Sequence, residues 1–418
     1  MSTLATVSLI VTAAALFGWF SSRVLRLPIT IGTMLLTVIA SIALMLLSHR
    51  IPGIHSGAVV LVERVKFEDL ILHGVLGLLL FAGAFLLDLE YLVKEKLTVG
   101  LLSVVGTLLS TGCIAAVMHA TLPLLGMPTT WLECLFFGAL ISPTDPIAVL
   151  EMLHRVGVAK NIQAQLAGES LFNDGVGAVL FLAVLDASRG ASPSIGHVGW
   201  LLVVKSCGGL ALGVALAWFA SELMRRVEAF QIEVLMTLAL ALGGYALGEV
   251  LKVSSPLEAV AAGLALRHFN LQHHHADISH ASLDRFWGTV DEVQNAILFV
   301  LLGLEVLVIP FSRGTFLSGG VAIVSVTLVR AAVVALVLSL VRWLQRGHES
   351  SFVTLTWGGL RGGLSIALAL SVPESQGRGW ILASTYIVVV FSIVIQGGTL
   401  DLFLARIGLR RPRAKRTV

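Results

Sequence analysis

Apolar runs long enough to cross a bilayer recur along almost the whole chain, and no other feature limits the fold as much. A hydrocarbon core of about 30 Å takes roughly 20 apolar residues as a helix. Backbone polar groups there must be satisfied internally, so spanning segments are helices or closed barrels. Thirteen candidate spans follow, at 3–20, 28–47, 71–87, 97–120, 131–153, 164–185, 197–219, 232–251, 255–268, 293–309, 316–344, 352–373 and 380–404. The ninth is short; the eleventh is long enough to require tilt. Only 13% of the 418 residues are charged and 56% are hydrophobic, against roughly 25% charged in soluble domains. The chain therefore reads as an all-α polytopic membrane protein over residues 1–406, with a short basic tail at 407–418.

Lysine and arginine set the expected orientation. With the N-terminus outside, eighteen of the 28 fall in inside loops or the tail and seven in outside loops. Three, Lys205, Arg330 and Arg361, lie within spans. The positive-inside rule then puts the N-terminus outside and the C-terminus in the cytoplasm, in a cell (inner) membrane. No basic stretch precedes the first span, which argues against a cleaved signal peptide. Cys113, Cys134 and Cys207 lie in apolar spans without ligand spacing and read as core thiols, so neither disulfide nor metal cluster is expected. The tail Arg410-Arg411-Pro412-Arg413-Ala414-Lys415-Arg416 reads as a topology determinant facing lipid headgroups, with no nucleic-acid partner expected. No Gly-x-x-x-x-Gly-Lys-[Ser/Thr] run occurs, and no cofactor is expected.

The functional signal is Gly168-Glu169-Ser170-Leu171-Phe172-Asn173-Asp174-Gly175-Val176-Gly177, inside the apolar run Ala164 to Leu185. A central acid costs about 2.5–3.5 kcal/mol on insertion scales, so intramembrane acids mark functional sites. Helical spacing puts Glu169 with Asn173 and Ser170 with Asp174 on neighbouring faces. Asp174 then has oxygen ligands near it that suit a small alkali cation, and it can take a proton instead. The competing reading is an acid paired with a base on another helix.

Two further spans are interrupted. In the fifth, Ser142-Pro143-Thr144-Asp145-Pro146 removes two backbone donors near mid-membrane. Irregular backbone at that depth is buried or lines a cavity, and broken helices flank ion sites in secondary transporters. Asp145 is expected both to cap the second half-helix and to face the site. In the twelfth, Trp357-Gly358-Gly359-Leu360-Arg361-Gly362-Gly363 marks a second break or a very close helix contact. Breaks seven spans apart fit two inverted six-span repeats joined by span 7. Arg330 sits mid-span in the eleventh, and Glu169 is the acid most in need of a partner. Glu233, Glu249, Glu258, Glu305 and Lys205 are read as structural, Asp88 as an interfacial group, and His273–His275 as part of a solvated 267–285 loop.

These three motifs, in this order and spacing, resemble the NhaP-type monovalent cation:proton antiporters and their eukaryotic sodium/proton exchanger relatives. The resemblance covers nearly the whole chain. It implies an NhaA-like transporter fold of thirteen helices with discontinuous crossed helices, working as a homodimer by an elevator motion. It implies that Asp174 carries ion and proton. Ser170, Thr144 (by its carbonyl) and Asp145 complete the cation site, Arg330 holds Glu169 with Asn173 bridging, and Arg361 is structural beside Pro143, Pro146 and the second break. The activity implied is exchange of Na+, with Li+ and K+ as alternatives, for H+ in pH homeostasis. A single alternating carboxylate makes that exchange electroneutral, one for one. The alternatives are a cation channel, which would need a continuous pore and a filter motif, and an electrogenic antiporter with a second titrating group.

Overall fold

A computed structural model describes residues 3–25, 27–47, 74–189, 195–227, 229–271, 277–309, 312–344 and 351–406. All regular structure among them is helical. In chain order the helices are α1 (Thr3–Phe20), α2 (Ile29–Leu47), α3 (Leu76–Leu86), α4 (Leu89–Lys94) and α5 (Lys96–Leu125). They continue as α6 (Trp131–Ile141), α7 (Ile147–Val156), α8 (Lys160–Ser188), α9 (Ile195–Met224), α10 (Phe230–Val250) and α11 (Ser255–Leu271). The last are α12 (Asp277–Leu304), α13 (Arg313–Leu344), α14 (Phe352–Trp357), α15 (Gly363–Leu370), α16 (Arg378–Phe391) and α17 (Gly398–Arg406).

Eight helices among the described residues are long and apolar enough to cross a membrane. The difference from thirteen has local causes. Prolines split one span into α6 and α7, and glycines split another into α14 and α15. Helix α11 has 17 residues, α3 is a shorter apolar helix, and α12 carries charge along its first half. The 293–309 span is a correction in its own right. Its helix starts at Asp277, so most of the expected 267–285 loop is helix, closed by an Arg267–Asp284 ion pair. His273–His275 lie outside the described residues. At 32 residues, α13 is about 48 Å long, more than a bilayer core needs, which places Arg330 near its middle.

The outer surface is apolar. Trp19, Trp218, Phe219 and Leu328 are all more than half exposed, as expected of helices whose solvent is lipid. Cys113 and Cys207 belong to that outer surface, not to the core; only Cys134 is buried. Among the described residues no group of three metal-ligating side chains occurs.

Inside, two apolar cores form. One gathers α3, α9, α10, α11 and the start of α12 around Phe81, Phe85 and Trp287. The other gathers α5 to α8, the end of α12, and α13 to α17 around Phe136, Phe137 and Phe299. Helix α8 contributes Leu171 to the first and Leu166 to the second. In the first core, Glu258 is fully buried with neither carboxylate oxygen hydrogen-bonded. Alanine at Gly244 would put its Cβ on that carboxylate. In the second, Glu305 is buried in the turn after α12, within electrostatic reach of Tyr386.

Candidate functional site

The site begins as a problem of backbone donors. Between α6 and α7 the chain has no regular structure from Thr144 to Pro146, and the two prolines have no N–H to place. Each remaining donor finds a partner, as buried backbone must. Thr144 N–H donates to Asn173 Oδ1 at 3.3 Å. Asp145 N–H donates to the Leu360 carbonyl at 2.9 Å. Ile147 N–H donates to Asp145 Oδ1 at 3.0 Å, so Asp145 caps α7 as its position predicts.

The bond from Asp145 to Leu360 also ties the two breaks together: they meet, backbone to backbone. The second break runs from Gly358 to Gly362. Arg361 N–H donates to Ser392 Oγ at 2.7 Å, and its guanidinium to the Gly359 carbonyl at 3.3 Å. The glycines here supply room, since none of them has a positive φ. A Cβ on Gly362 would land on the Asp145 carboxylate, and one on Gly359 would meet the Arg330 guanidinium at 2.7 Å.

Helix α8 reads this junction with successive side chains. Ser170 Oγ donates to the Thr144 carbonyl in a short contact. Asn173 Nδ2 donates to Thr144 Oγ1 at 2.9 Å, so this amide grips Thr144 through two bonds. Asn173 therefore does not bridge Glu169 and Arg330; its polar atoms are taken up by the first break. The pair needs no bridge. Arg330 meets both Glu169 oxygens, with Nη2 to Oε2 at 2.8 Å, and also donates to the Leu355 carbonyl at the end of α14. The two side chains are 1% and 7% exposed. A bidentate pair with its spare donor satisfied meets the conditions under which a buried ion pair is tolerated.

Asp174 differs from every neighbour. Among the described residues its carboxylate accepts no hydrogen bond, and the charged groups acting on it are Asp145 and Arg361. It lines a cavity of about 540 Å³ together with Thr144, Asp145 and Ser170. The structure thus brings together the four residues expected to form a cation site. The same cavity reaches Asp88 and Lys160, which pair at 3.5 Å and are 48% and 67% exposed, so it runs from the surface to Asp174. Its wall also holds residues the sequence reading missed: Glu151 of α7, which accepts from Thr30 Oγ1 at 3.4 Å, and Asp291, Glu292 and Asn295 of α12. The missed signal was the one-turn spacing of Asp291 and Asn295, hidden because charge pushed the start of the apolar window past Asp291.

An all-helical chain with two helix breaks in contact beside a carboxylate on an apolar helix fits an ion transporter. The model of the transmembrane sodium/hydrogen exchanger family matches residues 10–406, and the chain belongs to that family. It is 38% identical over 416 residues to the Na+/H+ antiporter NhaP of Pseudomonas aeruginosa, covering 98% of both chains. It is 29% identical over 395 residues to the Na+/H+ antiporter NhaH of Halobacillus dabanensis, covering 93% of this chain and 94% of that one. Its fold matches the sodium proton antiporter MjNhaP1 of Methanocaldococcus jannaschii with a TM-score of 0.74 at 20% identity, over 98% of this chain and 100% of that one.

Proposed function

We propose that this protein exchanges Na+ for H+ across the cell membrane, one for one, by competition of the two for Asp174. The observation that carries the proposal is that Asp174 faces the cavity without a hydrogen-bonding partner, while Ser170 and Asn173 on the same helix are bonded to Thr144. Na+ binds between the Asp174 carboxylate, Ser170 Oγ, the Thr144 carbonyl and Asp145, whose Oδ1 is held by Ile147. Hard oxygen donors of this kind suit an alkali cation, and Li+ or K+ would enter the same set. A proton on Asp174 displaces the ion. Either occupant neutralises the site and lets the binding unit move, whereas the bare charge does not.

Exchange is electroneutral because the other candidates do not alternate. Asn173 is an amide spent on Thr144. Glu169 is held in a bidentate pair, and arginine keeps its charge where a lysine in its place could give up a proton. The architecture we propose has thirteen spans in two inverted six-span repeats, with the breaks of the fifth and twelfth crossing. The N-terminus is outside and the basic 407–418 tail cytoplasmic, so the Asp88–Lys160 mouth opens inward. The molecule works as a homodimer, and the division into two apolar cores on either side of the cavity suits an elevator motion. Current on a solid-supported membrane tests the stoichiometry, alongside rates under a potassium-valinomycin potential. The expected result is exchange without current and indifferent to potential. A sustained current would show that a second proton moves and would turn attention to Asp145.

A further inference from the structure

The cavity has a wall that the Asp174 site leaves unused. It is α12, which presents Asp291 and Asn295 one helical turn apart. Asn295 is 2% exposed. Its Oδ1 is buried with no hydrogen-bond partner, a costly arrangement for an acceptor unless something else meets it. The acid that acts on Asp291 across the cavity is Asp145, which in turn acts on Asp174. Lys160 is the one basic side chain lining the cavity among the described residues, and it is spent at the mouth on Asp88.

We propose that Asp291 and Asn295 form a second monovalent-cation position, occupied by the incoming ion before it reaches Asp174. The Asp291 carboxylate supplies the charge, the orphan Oδ1 of Asn295 supplies a hard oxygen ligand, and water completes the shell. A carboxylate in a cleft with low-dielectric walls concentrates counter-ions there, so this position governs ion capture and leaves the exchange step to Asp174. The inference rests on the proposed role of Asp174, because a waiting position needs a destination.

The test uses the full-length protein. Binding of ²²Na+ is measured on Asp174→Asn and on Asp174→Asn/Asp291→Asn, and Na+/H+ exchange on Asp291→Asn, Asp291→Glu and Asn295→Ala in liposomes. The expected result is saturable binding by Asp174→Asn that the second substitution abolishes. Asp291→Asn should raise the KM for Na+ about three- to tenfold with kcat nearly unchanged, the signature of lost ground-state capture, and Asp291→Glu should restore part of the affinity. Absence of binding by Asp174→Asn, its survival in the double variant, or an unchanged KM would overturn the second position while leaving the role of Asp174 intact. Where Asp291→Asn fails to fold, Asn295→Ala carries the same kinetic test, since it removes the ligand oxygen and keeps the charge. Robust exchange by Asp174→Asn would overturn the proposed function itself and is read separately.

Discussion

Two carboxylates five residues apart on α8 sit in opposite surroundings. Around Glu169 everything is closed: the Arg330 fork meets both oxygens, and the Leu355 carbonyl takes the spare donor. Around Asp174 the polar neighbours hold one another, and the acid is left facing open space. A buried acid with a matched partner locks helices together, whereas a buried acid without one must find its counter-charge from outside. That contrast separates the two faces of α8 into a structural latch and the proposed exchange site.

The contrast breaks most directly at Asp174. Asp174→Asn should reduce exchange to background while the protein remains folded, with a melting temperature equal to or above that of the wild type, because an uncompensated buried charge has gone. Dye-monitored pH changes in liposomes, paired with a thermal melt, measure both. Robust exchange by this variant would remove Asp174 from the centre of the mechanism.

Substitutions at the latch should read out in stability. Glu169→Ala or Arg330→Ala alone leaves a buried charge unpaired, at a cost of about 3–5 kcal/mol, and removing both should cost less than the sum. A double-mutant cycle on unfolding measures the coupling; strictly additive losses would mean that the pair is not a unit and that the contrast is misdrawn.

The smallest effect lies between the two faces, at Asn173. Asn173→Ala leaves the Thr144 N–H without its acceptor, at about 1–3 kcal/mol, and loosens the break that carries two of the proposed ion ligands. Stability should fall modestly and apparent Na+ affinity with it, as read by melting with and without Na+. A stability loss with Na+ affinity unchanged would assign Asn173 to the latch side.

Much of this was legible in the chain itself. Arg330 could be marked as needing a partner without coordinates because a mid-span charge is too costly to leave alone, and the family resemblance matched it to Glu169. Pro143, Pro146 and the Gly358–Gly363 run announced interruptions, since missing donors and missing side chains are local facts. Asn173 was placed on the right helix face but given the wrong partner. One-dimensional spacing says which residues share a face, not which backbone approaches it. Asp291 was missed for a related reason, and the Asp291–Asn295 spacing with it: hydropathy averages over a window, and the charges in the first half of α12 shifted its apparent start from Asp277 to about residue 293.

Sequence by itself determined the solvent, the all-helical class, the family and the identity of the acids, because each follows from residue chemistry and the cost of placing it in hydrocarbon. Tertiary structure decided what each acid faces. Glycines at 359 and 362 let one break come within contact of Arg330 and Asp145, and Asp145 N–H reaches across to Leu360. Thr144, in turn, is held by Ser170 and Asn173, so these groups are turned toward one another and not toward Asp174. Asp174 is left without a hydrogen-bonding partner because three segments far apart in sequence bond to one another, and only packing in three dimensions sets that balance.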